Sequence, residues 1–433
     1  MTHRDGTRTL SVEALARVEG EGAMTVRVHD GSVTDVELRI YEPPRFFEAL
    51  LRGRGWTEPP DITARICGIC PIAYQTSACQ ALEAASGVTV DEPLQHLRRL
   101  LYCAEWISSH VLHIYLLHAP DFLGYESAVE LASDHRAVVE RGLRLRKAGT
   151  DLLTLIGGRE SHPVNVRVGG FYRTPTRRAL LDIRRQLEQA RADAEETVRW
   201  TSGFEFPDFT QDVVLLALRD PARYAIERGR LATTSGLDFA VAEFDDHVTE
   251  FQSPHSHALQ AQLTDGTTFA VGPLARFALN YDRLSPIAHD AAVAAGIGPD
   301  CRNPFRSIVV RSVETLYAVD EALRLIERYE RPPRPFVPAE PRAATGHGCT
   351  EAPRGILYHR YTIDDEGLIS DAEIVPPTAQ NQRSVEEDLA AFVQARLALP
   401  DDELQWACEQ AIRNYDPCIS CATHFLDLTV HRT

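Results

Sequence analysis

The stretch "ARICGICPIAYQTSACQALE" (residues 64–83) carries two cysteines three positions apart, Cys67 and Cys70. A second such pair, Cys418 and Cys421, stands in "NYDPCISCATH" (residues 414–424), just short of the C-terminus. A CxxC spacing lets two sulfurs turn toward one centre, so each pair can supply half of a metal site. Almost the whole 433-residue chain lies between the halves. A zinc ribbon, by contrast, closes over roughly a few tens of residues. A complete four-thiolate site therefore has to draw on both ends of the chain. Soft thiolates suit zinc, but also nickel, iron and iron–sulfur clusters. Spacing alone leaves three readings open: a structural zinc tetrathiolate, unpaired structural cysteines, and a catalytic transition-metal site.

The rest of the composition narrows the class. With 44% hydrophobic residues, the chain can bury a large core in one or two domains. Its net charge of −17 argues against nucleic acid and anionic membrane surfaces as partners. Lys147 is the one lysine, so nearly all the basic charge is arginine. No run approaches the roughly 18 apolar residues of a membrane span, and the first twenty residues lack the apolar segment of a secretory signal. Both points favour the cytoplasm. Nine cysteines in a chain this long are no disulfide framework, and two CxxC pairs fit a reducing compartment.

Periodicity sketches an α+β chain, mainly helical, with a long-helix core and small β-hairpin elements near both ends. Alternation across a His-Asp-Gly-Ser turn pairs Ala23–Val28 with Val33–Tyr41. Residues 94–118, 125–155 and 176–200 carry helical periodicity, with breaks near Asp121 and Pro207. Strand-like alternation returns over 233–275, a β-rich insertion with an Asp265–Gly266 turn. A helix over about 304–330 leads into the Pro-rich connector 331–343. "GILYHRYTIDDEGLISDAEIV" (residues 355–375) then reads as a second hairpin around Asp364–Gly367, followed by helices near 385–398 and 401–414. No fixed-period repeat is present, and residues 1–433 read as one domain.

"RICGICP" with "DPCISCATH" resembles the signature pair of nickel–iron hydrogenase large subunits. The likeness extends to "ARVEGEG" (16–22), "PPRFFEALLRGRG" (43–55), "SHPVNVRVGGF" (161–171), "VGPLAR" (271–276), "EAPRG" (351–355) and "VPPTAQNQ" (375–382), in family order. The resemblance implies the hydrogenase large-subunit fold. It implies that Cys67 and Cys418 are terminal nickel ligands, while Cys70 and Cys421 bridge to an iron carrying carbon monoxide and cyanide. Glu19 then resembles the proton-relay glutamate beside Cys418, although a lone glutamate near a strand is usually solvated. Arg354, after Pro353, resembles the arginine suspended over the metals; an ion pair with Glu351 is the plain alternative. Thr378 resembles the hydroxyl residue facing a cyanide, with a turn or cap as its rival role. Asp416 resembles the carboxylate that supports the site from behind.

The resemblance also accounts for the terminal histidine. His424, Glu48 and the backbone carbonyl of Ile374 resemble the ligands of a magnesium ion near the active site; otherwise Glu48 is an exposed helix residue. His110 and His113 share a helix face at i, i+3, a metal half-site in isolation but a structural pair under the resemblance. Cys79, Cys103, Cys301, Cys349 and Cys408 match no ligand position and read as small apolar residues. Two departures stand out. Tyr74 replaces a histidine common in the family, and Ser109 replaces an aspartate of membrane-bound members. With "HPVNVRVGGF", both resemble the cytoplasmic bidirectional class linked to NAD(P).

These likenesses imply reversible oxidation of dihydrogen by a catalytic large subunit. Electrons would leave through the iron–sulfur clusters of a small subunit and then the flavin of NAD(P)-binding diaphorase subunits. Maturation factors would load the metals; residues 425–433 are either a cleavable tail that a C-terminal processing protease removes or, in this member, left uncut. The alternatives are a deazaflavin- or heterodisulfide-linked hydrogenase, a non-catalytic complex I-like subunit, and a zinc-stapled scaffold.

Overall fold

A computed structural model of the chain describes residues 7–423. The N-terminal part is a three-stranded antiparallel sheet of β1 (Thr7–Val12), β2 (Gly22–His29) and β3 (Ser32–Ile40), in that order. Asp30 and Gly31 turn β2 into β3 with φ of 47° and 75°, and His29 pairs with Ser32 across the turn. Two successive positive φ values match the twist of the flanking strands, which is why Asp-Gly serves here. The expected hairpin is present, and β1 adds a strand that the sequence reading did not include.

The long-helix core consists of α2 (Pro71–Ser86), α3 (Glu92–Leu112), α4 (Arg136–Gly157), α5 (Arg177–Ser202) and α6 (Ser307–Glu327), preceded by the short α1 (Phe47–Leu51). In α4 the buried Val139, Leu145, Leu152 and Ile156 recur at helical spacing and face α3 and α5. Helix α3 is buried along most of its length and packs on both α4 and α6. Thr176 starts α5 by accepting from the Ala179 N–H at 3.2 Å. Two helical boundaries differ from expectation. His113–His118 continues α3 as a π-helical turn, and 125–155 divides into Ala128–Asp134 and α4 because His135 leaves helical geometry (φ −124°, ψ 44°).

The stretch 233–275 holds strands Asp238–Phe239, Val248–Gln252, Leu259–Leu263 and Phe269–Ala270. A single helical turn, Phe244–His247, interrupts them, and strand Val214–Arg219 joins Phe269–Ala270 from outside that stretch. The proline-rich connector is pinned along "VGGF": Phe171 N–H donates to Pro335 O and Val337 N–H to Gly169 O, both at 2.9 Å.

The second hairpin is the latter part of a three-stranded meander of β4 (Ala344–Ala352), β5 (Gly355–Ile363) and β6 (Ile369–Val375). Strand β4 lies directly on α2, and its glycines make that approach possible. A Cβ on Gly346 would stand 2.0 Å from Ala81 O, and one on Gly348 would stand 2.2 Å from Ser77 O. After the meander come α7 (Pro377–Gln394) and α8 (Asp401–Arg413). Val385, Leu389, Phe392, Leu404 and Ile412 of these helices share a core with Leu10, Val12, Met24, Val26 and Leu38 of the N-terminal sheet. That shared core carries the chain end back to its beginning.

Candidate metal centre

Both cysteine pairs lie where the chain enters a helix. Cys70 is the N-cap of α2, with Pro71 in the first turn, where a missing N–H costs nothing. Cys418 stands before the single turn Ile419–Ala422. All four cysteines are buried, and their sulfurs lie within 4.8 Å of one another. Among the described residues, they are the one group of three or more His, Cys, Asp or Glu side chains whose ligand atoms converge in this way. Individual separations are 3.4 Å for Cys67–Cys418, 3.7 Å for Cys70–Cys421 and 2.9 Å for Cys418–Cys421. Hydrogen bonds from Cys418, Cys421 and Cys70 hold the Cys67 thiol well below the ordinary thiol range. Burial pushes Cys418 well above it. Four sulfurs so close suit a cation that would deprotonate them together.

Glu19 reaches this cluster from the β1–β2 connection. It forms an isolated parallel bridge with Cys418: Glu19 N–H donates to Pro417 O at 3.3 Å, and Ile419 N–H donates to Glu19 O at 2.9 Å. Its Oε2 accepts from the Cys418 thiol and from the Ser420 N–H, each at 3.1 Å. Thr378, at the start of α7, accepts from the Cys418 N–H at 3.0 Å, which leaves its hydroxyl hydrogen available as a donor.

Arg354 follows Pro353 in the tight β4–β5 turn and is buried. Its Nε donates to Asp416 O at 2.7 Å and its Nη2 to Asp416 Oδ1 at 3.1 Å, while Nη1 lies 3.5 Å from the Ser109 hydroxyl. Asp416 adopts a left-handed conformation (φ 51°), which a short polar side chain tolerates. Glu351 is not the partner of Arg354. Strand alternation sends it to Arg276, whose Nη1 lies 3.1 Å from Glu351 Oε2. Arg276 also donates to Pro353 O at 2.9 Å, anchoring the turn below Arg354.

Glu48 on α1 is half-buried, and its Oε1 accepts from Ile374 N–H at 2.8 Å. Burial pushes this carboxyl up to about 8. The structure thus brings Glu48 and Ile374 together, whereas His424 and the tail 425–433 lie outside the described residues. Thr423, the last described residue, accepts at its carbonyl from the Arg45 N–H at 2.6 Å.

His110 and His113 address separate partners, Glu314 Oε2 at 3.1 Å and Arg413 O at 2.8 Å. Tyr74 is buried with its ring centroid 5.7 Å from that of His359. Cys79, Cys103, Cys349 and Cys408 are buried and Cys301 is partly so. One residue near the site was not anticipated. Glu105, fully buried on α3, accepts from Ile72 N–H at 2.7 Å and Ala73 N–H at 3.2 Å, capping α2 immediately after Cys70. Its only sequence signal is a carboxylate inside the apolar run "LLYCAEWIS". Burial holds it well above the carboxylate range.

Comparison with known proteins agrees with this geometry. The family model described as "Nickel-dependent hydrogenase" matches residues 45–141 and 249–424. Sulfhydrogenase 1 subunit alpha of Pyrococcus furiosus is 31% identical over 97% of this chain and 98% of its own length. The HoxS subunit beta of the NAD-reducing hydrogenase of Cupriavidus necator is 28% identical over 97% of this chain and 95% of its own. A crystal structure of an NAD+-reducing nickel–iron hydrogenase in the dihydrogen-reduced state superposes with a TM-score of 0.88, at 26% identity, over 96% of this chain and 99% of that one. With the family model spanning more than half of it and full-length relatives on either side, the chain belongs to the nickel-dependent hydrogenase family, as a large subunit of the nickel–iron type.

Proposed function

We propose that the chain is the catalytic large subunit of a cytoplasmic hydrogenase that oxidises dihydrogen reversibly to two protons and two electrons and delivers the electrons to NAD(P). The observation that carries the reading is the buried convergence of four cysteine sulfurs within 4.8 Å, with a carboxylate oxygen of Glu19 3.1 Å from one of them. The donor set fits a nickel–iron centre: four soft thiolates, and beside them a buried guanidinium that stays charged. Asp416 Oδ2, buried and without a hydrogen-bond partner, marks the same place as one built around a further group. When bound, that centre, with carbon monoxide and cyanide on its iron, supplies the Lewis-acid and redox chemistry that splits dihydrogen.

The chain's own residues do the rest. Cys67, Cys70, Cys418 and Cys421 would hold the centre, Cys67 and Cys418 on nickel and Cys70 and Cys421 shared with iron, as the family resemblance implies. Glu19 takes the proton from the Cys418 sulfur, within the reach a general base needs, while the Ser420 N–H steadies the accepting oxygen. Asp416 fixes the Arg354 fork through two hydrogen bonds, so its free edge is aimed rather than mobile. Pro353 and Thr378 would line the side on which the iron's diatomic ligands sit, with the Thr378 hydroxyl as the available donor. Glu48 and the Ile374 carbonyl would supply ligands to magnesium, with His424, outside the described residues, as the ligand that the resemblance adds.

Electrons leave through an iron–sulfur small subunit and a flavin-bearing diaphorase. The support is the likeness to NAD+-reducing and NAD-reducing enzymes and the departures at Tyr74 and Ser109. No helix among the described residues is long and apolar enough to cross a membrane. The test is infrared absorption of the partnered, processed protein, with nickel, iron and magnesium quantified and NAD and NADP compared as acceptors. One carbonyl and two cyanide bands with nickel near one per chain are expected. Zinc alone without those bands would overturn the reading, and reduction of neither nucleotide by dihydrogen would overturn the NAD(P) assignment.

A further inference from the structure

We propose that Arg45 is the clasp that locks the C-terminal cysteine segment against the N-terminal one and so fixes the position of the Cys421 sulfur. This rests on the reading of the four thiolates as the metal ligands. The residue directly follows the Pro43-Pro44 step, ahead of α1, and reaches three carbonyls. Its Nη2 donates to Ile66 O at 2.7 Å, the carbonyl directly before Cys67. The same Nη2 donates to Ser420 O, the carbonyl directly before Cys421. Its backbone N–H donates to Thr423 O at 2.6 Å, two residues beyond Cys421. One arginine therefore ties a residue beside each cysteine pair to the other, and holds the Cys421 segment at both ends.

Besides the sulfur–sulfur contacts themselves, no other side chain among the described residues hydrogen-bonds backbone beside both pairs. Glu19 and Thr378 bond the backbone of residues 417–420, on the Cys418 side. Around Cys421, the hydrogen bonds that reach the Ser420 and Thr423 carbonyls from outside the segment come from Arg45. Glu42 completes the arrangement by accepting from the Ser420 hydroxyl at 3.1 Å. The chemistry also selects arginine. A planar guanidinium presents several donors in a fixed fork and stays charged, and hydrogen bonds from a charged donor are roughly twice as strong as neutral ones. A glutamine has the amide but neither the charge nor the reach. A lysine keeps the charge and loses the fork. Since Ile66 and Ser420 are far apart in sequence, the contact can form only when the chain end is seated. Arg45 is thus a positioning residue, acting on the sulfurs through the backbone.

The test uses the complex purified with its native partners and compares wild type with Arg45→Gln, Arg45→Lys and, as a control, the exposed Arg54→Gln. Hydrogen–deuterium exchange of residues 417–423 is read by mass spectrometry, alongside the infrared bands of the iron ligands. Arg45→Gln is expected to raise exchange in that segment by about tenfold or more and to shift the bands. Arg45→Lys should restore part of both, and Arg54→Gln should change neither. Wild-type exchange and unshifted bands in Arg45→Gln would overturn the proposal. If that variant carries no metal, its exchange is compared with metal-free wild-type chain. A similar rise there supports the clasp, and equal exchange overturns it. Absence of the bands in wild type itself would instead count against the metal-centre reading, and the exchange comparison would still decide the clasp.

Discussion

Glu19 Oε2 lies 3.1 Å from Cys418 Sγ, and the two residues are joined as neighbours in a parallel bridge although nearly 400 positions separate them. The carboxylate is held by backbone as well as side chain, so its distance to sulfur is set by the fold. Glu19→Gln keeps the shape and removes the base. It is expected to lower dihydrogen–proton isotope exchange by about 100- to 10,000-fold, the range of general-base catalysis, while leaving the infrared bands in place. Glu19→Asp should fall between, because it keeps the base but shortens its reach. Exchange at the wild-type rate in Glu19→Gln would remove Glu19 from the proton path.

Asp416 is the counter-ion of Arg354, with both side chains buried. Asp416→Ala strands a guanidinium in the interior and places alanine in a left-handed conformation. Removing one partner of a buried pair costs about 3–5 kcal/mol. Asp416→Asn keeps an acceptor and tolerates the positive φ, so it should lose distinctly less. Denaturant midpoints of the metal-free chain measure both, and equal losses would show that charge, not conformation or hydrogen bonding, dominates.

The sequence made the site legible more readily than the fold around it. Two CxxC pairs and the surrounding motifs identified the residues that converge, and Asp30–Gly31 announced its hairpin. Other elements were hidden for physical reasons. Strand β4 reads "ATGHGCTEA", whose glycines suggest a loop; they are there because the backbone presses on α2. The first two turns of α7 read as polar, yet Gln380, Asn381 and Gln382 are buried and bond to Ile356 O, Val271 N–H and Leu38 O at 2.8 Å each. Hydrophobic periodicity cannot register a helix face whose work is hydrogen bonding. Asp416 was legible as a carboxylate of the site, but its pairing with Arg354 was not, because a left-handed turn brings it there from a distant segment.

Arg276 bonds Glu314 through Nε and Nη2, each at 2.8 Å, and Glu351 through Nη1 at 3.1 Å, with all three side chains fully buried. Burial would raise Glu314, but the charge and hydrogen bonds of Arg276 hold it down at about 2. Arg276→Met leaves the Glu314 carboxylate without its cation, beside a Glu351 that burial already pushes up to about 7, and should cost about 3–5 kcal/mol near pH 7. Without the cation, burial wins and Glu314 rises. The variant should therefore recover stability relative to wild type as the pH falls and the carboxylates protonate. A loss independent of pH would point to packing against Trp106, 4.6 Å from the guanidinium carbon, as the larger contribution.

His110 supplies a titration of opposite consequence. Burial pushes it down to about 4, against the pull of Glu314, so it is neutral at pH 7. Its Nε2 lies 3.1 Å from Glu314 Oε2. In the unfolded chain the same imidazole titrates near 6.5. Between about pH 6.5 and 4 the unfolded state binds a proton that the folded state does not, so stability falls as the pH drops through that window and levels off below it. The full shift corresponds to about 3 kcal/mol. His110→Gln cannot take up the proton in either state and should flatten this part of the profile. Urea midpoints of the two metal-free chains at pH 7, 5.5 and 4.5 provide the measurement. The gap between wild type and variant should change steadily in favour of His110→Gln as the solution is acidified, and a constant gap would mean that His110 is protonated in the folded chain as readily as in the unfolded one.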